Sequence, residues 1–365
     1  MISHRDIYQR AENDIRQTVK DTFQKRNLSR YGNGEQVFKA FILFALMIAG
    51  YYGAVFSDAP VILRLSCFIV MGLANLLLIF NVSHDAAHHA LSPYKRLNNI
   101  IHFVVFTLFG INAQMWQWRH LYAHHPFTNI NGSDPDIDAN TILRLSPNHP
   151  FKPHFRWQHW YAPFVYMLAI SHSIFWQDFQ HLAKRQYGRK TNVQLSATGL
   201  LLFWIAKVFY IGVMLVLPML LSGLSVTAVL LGYAIMQAVV SLTFVLLLAV
   251  NHFSHRSAYP QNAEQIGFFA HQLHTNVDWY ASSRTICFIF GGANAHLAHH
   301  LFMGISHRHY YWITRVIKEK CAMYGLPYHE VSLWGCVRSH FLFLRLLATQ
   351  QDDVLHNNLP LMGNT

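Results

Sequence analysis

The chain has 365 residues, of which 53% are hydrophobic and 15% aromatic but only 12% charged, about half the charged share of a soluble globular domain. Much of it is therefore expected in lipid, and the formal charge of +11, carried by Lys and Arg beside apolar runs, reads as headgroup contacts and topology signals rather than nucleic-acid binding. Cys67, Cys287, Cys321 and Cys336 show no CxxC or framework spacing, which argues against a disulfide scaffold or a thiolate metal site and leaves them as packing residues.

The N-terminal segment carries charges of both signs up to Lys39 and lacks the basic start and small-residue cleavage site of a signal peptide, so it is expected to be retained in the cytoplasm. Residues 40–56 are free of charge, and after the turn signal Ser57-Asp58-Ala59-Pro60 a second apolar run covers 61–82, with Arg64 expected to snorkel to the interface. A second pair follows at 200–221 and 226–250, joined by Ser222-Gly223-Leu224-Ser225. Two hairpins through the bilayer are predicted. Their tips lack Lys and Arg, whereas the segments 1–39, 83–199 and 251–365 are rich in them and are expected on the cytoplasmic side. Residues 101–113 are too short to span, and 157–180 are interrupted by His159, His172 and Asp178 and loaded with aromatic residues; both are read as interfacial helices. The fold expected is all-α and integral to the membrane, with four spans in two hairpins and a cytoplasmic helical cap.

Twenty-five histidines are the anomaly of this composition. His84-Asp-Ala-Ala-His88-His89 stands where the second run ends, and His120-Leu-Tyr-Ala-His124-His125 repeats its spacing. His296-Leu-Ala-His299-His300 follows near the C-terminus, and Asn251-His-Phe-Ser-His255 stands where the last run ends. Residues four apart share a helical face, so His84 and His88 can point at one ion, while an adjacent histidine is rotated by about 100° and suits a second ion. Imidazole ligation suits Fe, Zn, Cu or Ni. About nine ligands are too many for one ion and right for two. Paired Glu-x-x-His motifs of a ferritin-like centre are missing, and a zinc protease would need Glu where Asp85 stands. A metal transporter would place its ionisable groups in mid-membrane, yet 226–250 has none. Asp85 and the trio Asp134, Asp136 and Asp138 are candidates to hold ligand rings by their second nitrogen. The Asp-x-Asp-x-Asp spacing also suggests calcium, but the glycine and terminal glutamate of an EF-hand loop are missing, and Asn131-Gly-Ser133 is a glycosylation sequon on the side expected to stay unmodified.

These clusters and their flanks resemble the membrane fatty acid desaturase and hydroxylase family, and most closely bacterial desaturases of the front-end, linoleoyl-CoA type. The flanks that carry the resemblance are Trp118-Arg-His120, His125-Pro-Phe-Thr-Asn129, Ser133-Asp-Pro-Asp-Ile-Asp138, Ile142-Leu-Arg-Leu-Ser-Pro147, His271-Gln-Leu273, Gly291-Gly-Ala-Asn294 through His300-Leu-Phe302, and Leu326-Pro-Tyr-His-Glu330. The resemblance implies one domain over residues 1–365 that binds two non-heme irons and uses O₂ to desaturate a fatty acyl chain. It assigns as ligands His84, His88, His120, His124, His125, His296, His299 and His300. A ninth comes from matching Asn251 and His255 to the family's Asn-x-x-x-His, which prefers His255 to His252 and leaves His89 and Asn251 as supporting residues. Front-end enzymes usually carry glutamine where His296 stands. Hydroxylation, acetylene formation and terminal-alkene-forming decarboxylation are alternative outcomes within the family. The acyl group could arrive on CoA, on carrier protein or in a lipid. No His-Pro-Gly-Gly heme signature occurs, so electrons are expected from a separate donor, a ferredoxin or a cytochrome b5-like protein.

Overall fold

A computed structural model describes residues 4–138, 141–261 and 266–357. Four of its helices are long and apolar enough to cross a membrane: α2 (Gly34–Val55), α3 (Val61–Ala87), α8 (Ala197–Leu221) and α9 (Val226–Asn251). Three of the four start at a side-chain cap: Asn33 and Gln36 form a reciprocal capping box before α2, and the side chains of Ser196 and Ser225 cap α8 and α9, while α3 follows Pro60 with no side-chain cap. Glycines let the apolar helices approach closely. A Cβ on Gly50 of α2 would lie 2.8 Å from the backbone nitrogen of Met71, and one on Gly72 of α3 would lie 2.5 Å from Met236 Cγ of α9.

Arg64 does not snorkel outward. It is buried, donating from Nε to Ala54 O and from Nη2 to Val55 O and Ser222 O at 2.7–3.1 Å. A cation there satisfies carbonyls left over at the end of α2 and ties the turn at Ser222 to them.

The remaining helices build the histidine-bearing part. An amphipathic α1 (His4–Lys25) packs Tyr8, Ala11, Ile15 and Val19 against α12 (Tyr310–Tyr324) and its surroundings. α4 (Lys95–Phe109) ends on Gly110 at φ +90°, and α5 (Ala113–Phe127) leaves it at 104°. Thus 101–113 belongs to a helix that starts earlier and turns sharply. The segment 157–180 is a broken run: α6 (Gln158–Tyr166) is followed by α7, which begins at Ala169–His172, loosens over Ser173–Gln177 and continues through Asp178–Lys184. Trp157, Trp160, Phe164, Leu168 and Trp176 are exposed along it. Short helices α10 (Phe268–Thr275) and α11 (His296–Leu301) come next, then α12, α13 (Leu333–Ala348) and a last turn of helix at Asp352–His356. The all-α expectation misses one detail, a two-stranded parallel ladder of β1 (Asp278–Trp279) and β2 (Glu330–Val331). All four cysteines are free, three of them buried.

Candidate metal centre

The histidines converge in two groups. In the first, Nε2 of His120 lies 3.1 Å from Nε2 of His84, 3.1 Å from that of His88 and 3.0 Å from that of His125, while His299 Nε2 lies 3.1 Å from His125 Nε2. The second gathers His124, His252, His296 and His300, whose ligand-capable nitrogens all lie within 4.8 Å of one another, with His252 and His296 meeting Nε2 to Nε2 at 2.8 Å. His125 sits between the two, its ring centroid 4.2 Å from that of His300.

Two widened turns create this arrangement. At Ile79–Ser83 and at His120–His124 the helix opens to i→i+5 hydrogen bonds, so His125 N–H donates to His120 O. His120 therefore enters the first group with His125 beside it at 3.0 Å, while His124 turns into the other, a different partition from the i, i+4 pairing of an ordinary helix. In α11 the ordinary turn holds: His296 and His300 share the second group and His299 faces the first.

A neutral imidazole has one donor and one acceptor nitrogen, so a single N–H cannot satisfy the three nitrogens crowding His120 Nε2. Protonation offers no remedy for most of these rings, although His124, beside Asp134 and Asp136, is shifted above the ordinary histidine value against the pull of burial. Burial pushes His296, His299 and His300 well below the usual histidine range, helped by neighbouring histidines, and takes His252 down to about 3. Neither ring nitrogen of His300 has a hydrogen-bond partner among the described residues. Convergent nitrogens on buried rings could hold a cation, and the donor set fits two transition-metal ions.

Several of the outer nitrogens are held, those of His125 and His300 excepted among the described residues. His124 Nδ1 faces the Asp134 carboxylate at 3.2 and 3.3 Å and Asp136 Oδ2 at 3.3 Å, and the Asp134 carboxylate is itself fixed by the backbone N–H groups of Asn129 and Asp136. His252 Nδ1 faces Thr275 O at 3.2 Å, and His299 Nδ1 faces the Tyr310 hydroxyl at 3.3 Å. Gln272 donates to His125 O, and Trp116 stacks on the His120 ring at 4.4 Å and 23°. Asp278 accepts from the backbone N–H groups of His296 and Leu297 and from the Tyr328 hydroxyl, placing a carboxyl at the start of α11.

Several residues singled out from the sequence lie elsewhere. His255 is outside both groups: its Nδ1 meets Ser339 Oγ at 2.6 Å, and His252 occupies the position expected of it. Asp85 faces away from the ligand rings, since one step along a helix rotates a side chain by about 100°; it accepts from Ser306 Oγ at 2.7 Å and pairs with His307 Nδ1 at 2.9 Å. Asp138 holds a loop, accepting from Gly132 N at 2.7 Å and meeting His149 Nε2 at 2.8 Å. Asn251 donates to Ala293 O and so positions the turn before α11, and His89 closes its helix at φ +54° without entering either group. The sequence reading missed His252, Trp116 and Asp278. His252 lay inside the motif considered, whereas a lone Asp 18 residues from the helix it caps carries no local signal.

Comparison with known proteins agrees with this geometry. The protein named sn-1 linoleoyl-lipid 6-desaturase of Arthrospira platensis is 26% identical over 343 residues, 92% of each chain. A Mortierella alpina protein named acyl-lipid (8-3)-desaturase is 28% identical over 93% of this chain and 78% of its own, and a Synechocystis sn-1 linoleoyl-lipid 6-desaturase is 25% identical over 86% and 88%. With a family match extending over residues 59–332, well over half its length, the chain belongs to the fatty acid desaturase family, a family of membrane-bound oxidoreductases.

Proposed function

We propose that the two histidine groups hold two irons and that the enzyme places a double bond in a lipid-linked acyl chain. The observation that carries this reading is the convergence of nine imidazoles: His84, His88, His120, His125 and His299 for one ion, and His124, His252, His296 and His300 for the other. The bound metals supply the redox chemistry by which one O₂, two electrons and two protons take two hydrogens from adjacent methylenes and leave two waters. The chain's own residues hold and shape. Asp134 fixes the ring of His124, Asp278 fixes the first turn of α11, and Trp116 supplies an apolar wall beside His120. The carrier is assigned as lipid because the relatives are named for acyl-lipid and linoleoyl-lipid substrates.

In this reading the two apolar pairs cross the bilayer as hairpins, the termini and the histidine-bearing helices face the cytoplasm, and the membrane is the bacterial inner membrane. Product analysis tests the function. Lipids from cells expressing the protein should contain a new double bond by gas chromatography with mass spectrometry, and purified protein should carry close to two irons per chain. New hydroxylated or chain-shortened products without unsaturation, or full activity with stoichiometric zinc, would overturn the proposal.

Electrons come from a separate acidic carrier, and one surface suits it. Tyr187 and Lys190 pair through both backbone hydrogen bonds, closing a turn whose Lys190 ammonium lies 4.1 Å over the exposed Tyr122 ring and whose Arg189 lies 5.4 Å over Phe127. Tyr122 stands between His120 and His124, so these cations lie over the ligand helix itself. Reversing both charges (Arg189→Glu with Lys190→Glu) is expected to slow reduction by an acidic donor about tenfold or more at low salt, with the difference shrinking as salt rises. Stopped-flow reduction at two ionic strengths checks it; equal rates would remove this surface.

A further inference from the structure

Of the two wide turns, the one at Ile79–Ser83 is gripped from both sides. His84 N–H donates to Ile79 O across it, and such turns are rare in helices, persisting where the surroundings hold them open. Asn81 stands at its middle, buried where the span ends. Its amide is fully engaged: Nδ2 donates to Leu77 O at 2.9 Å and to Ile289 O at 3.0 Å, and Oδ1 accepts from Lys39 Nζ at 2.6 Å. Lys39, buried on α2, also donates to Phe288 O. Polar and ionisable side chains at such depth are costly and mark function. The segment that supplies both carbonyls runs on to Gly291 at φ +60°, where a Cβ would stand 2.5 Å from the Phe80 carbonyl carbon and 2.9 Å from Asn81 N.

The other side of the turn is held by His102 of α4. Its Nε2 meets Ala113 O at 3.0 Å, and its Nδ1 meets Ser83 Oγ at 2.8 Å. A carbonyl only accepts, so Nε2 carries the ring hydrogen and Nδ1 accepts from the Ser83 hydroxyl. The elements joined in this way are those that supply the first histidine group. Asn81 and Ser83 precede His84 and His88 on α3, Ala113 opens the α5 that carries His120, and Phe288–Gly291 leads into α11 with His299. Upstream, α3 has no freedom to turn, because Gly50 and Gly72 seat it against α2 and α9. Closing the turn to ordinary spacing would therefore swing everything after it by one residue step, about 100°, and carry His84 and His88 out of the group.

We propose that Asn81, Lys39 and His102 are positioning residues. They clamp the wide turn open against the segment before α11 and the start of α5, and so set the rotation at which His84 and His88 face the first ion. The inference rests on the two-metal reading. A wide turn is an ordinary turn with one residue added, so a helix one residue shorter would present both histidines at the same rotation with nothing left to hold.

The test compares two variants that both lack the clamp cation: Lys39→Met with Asn81→Leu, and Lys39→Met with Asn81 deleted. Each is purified from membranes and scored for iron per chain, Mössbauer spectrum and product yield. With the length kept and the clamp gone, iron is expected to fall from close to two to about one per chain, with the spectrum of one site lost. With one residue fewer, iron is expected to return to close to two, about twice that of the substituted variant. A residue that served packing alone would suffer more from deletion than from substitution. Iron in the deleted variant no higher than in the substituted one would overturn the inference. So would loss of both proteins from the membrane, because a clamp that only sets rotation leaves the spans intact. Wild-type protein that does not reach close to two irons overturns the two-metal reading, whereas wild type at two with the variants unseparated overturns the clamp alone.

Discussion

Replacing His252 with alanine is expected to abolish desaturation and release iron from one of the two positions, whereas His255→Ala leaves both close to wild type. The two residues are three apart at the end of α9, and motif matching favours the second. Geometry favours the first. The helix tightens over Ala249–Asn251, and the next residue is swung inward so that His252 Nε2 stands 2.8 Å from His296 Nε2 while its Nδ1 meets Thr275 O. His255 is directed instead to Ser339 on α13, where it contributes to packing between the segment after α9 and that helix. Loss of residues that merely orient a metal ligand typically costs 10- to 100-fold, so loss of a ligand itself should cost at least about 100-fold. Iron per chain, measured on each purified variant beside its product yield, separates the cases. Iron retained by His252→Ala and lost by His255→Ala would reverse the assignment.

How much of this was legible in the sequence follows from what each residue needs. The histidine boxes were legible because imidazole is rare beside apolar spans unless it has work there, and their places at run ends put them at one level. The partition of ligands was not, because it depends on the i→i+5 turn at His120–His124, which no residue in that stretch announces. Asp134 was legible as a support for His124 because it is fixed within the same short loop. Asp85 and Asp138 were misread for one reason: closeness in sequence was taken for closeness of side chains, and both point the other way. Arg64 was assigned to the interface on length and charge alone, while the carbonyls that hold it belong to the ends of two other helices.

Lys207 shows the same limit with larger consequences. From the sequence it is a single cation early in the third apolar run; in the structure it is buried against three acceptors, Asp178 Oδ2, Gly110 O and Ile174 O, each at 2.7 Å. An ammonium has three donors, so all are satisfied. The same Asp178 oxygen accepts from Asn112 N–H at 2.7 Å. One charge pair thus fastens α8, α7 and the α4–α5 bend together, and α5 leaves that bend carrying His120, His124 and His125. With side chains only 6% and 5% exposed, the pair is screened little by solvent, and removing one partner of such a pair costs about 3–5 kcal/mol because the other charge is left uncompensated. Lys207→Met is therefore expected to lose most of the folded protein in mild denaturant, together with its iron. The double variant Lys207→Met with Asp178→Leu should recover part of that stability, since neither charge remains buried alone. Denaturant titrations of the two single variants, the double variant and wild type, each scored for retained iron, give the coupling directly. A loss below about 1 kcal/mol for Lys207→Met would place the pair with ordinary exposed salt bridges and leave the bend to be held by Gly110 and the Tyr210 ring packed against it.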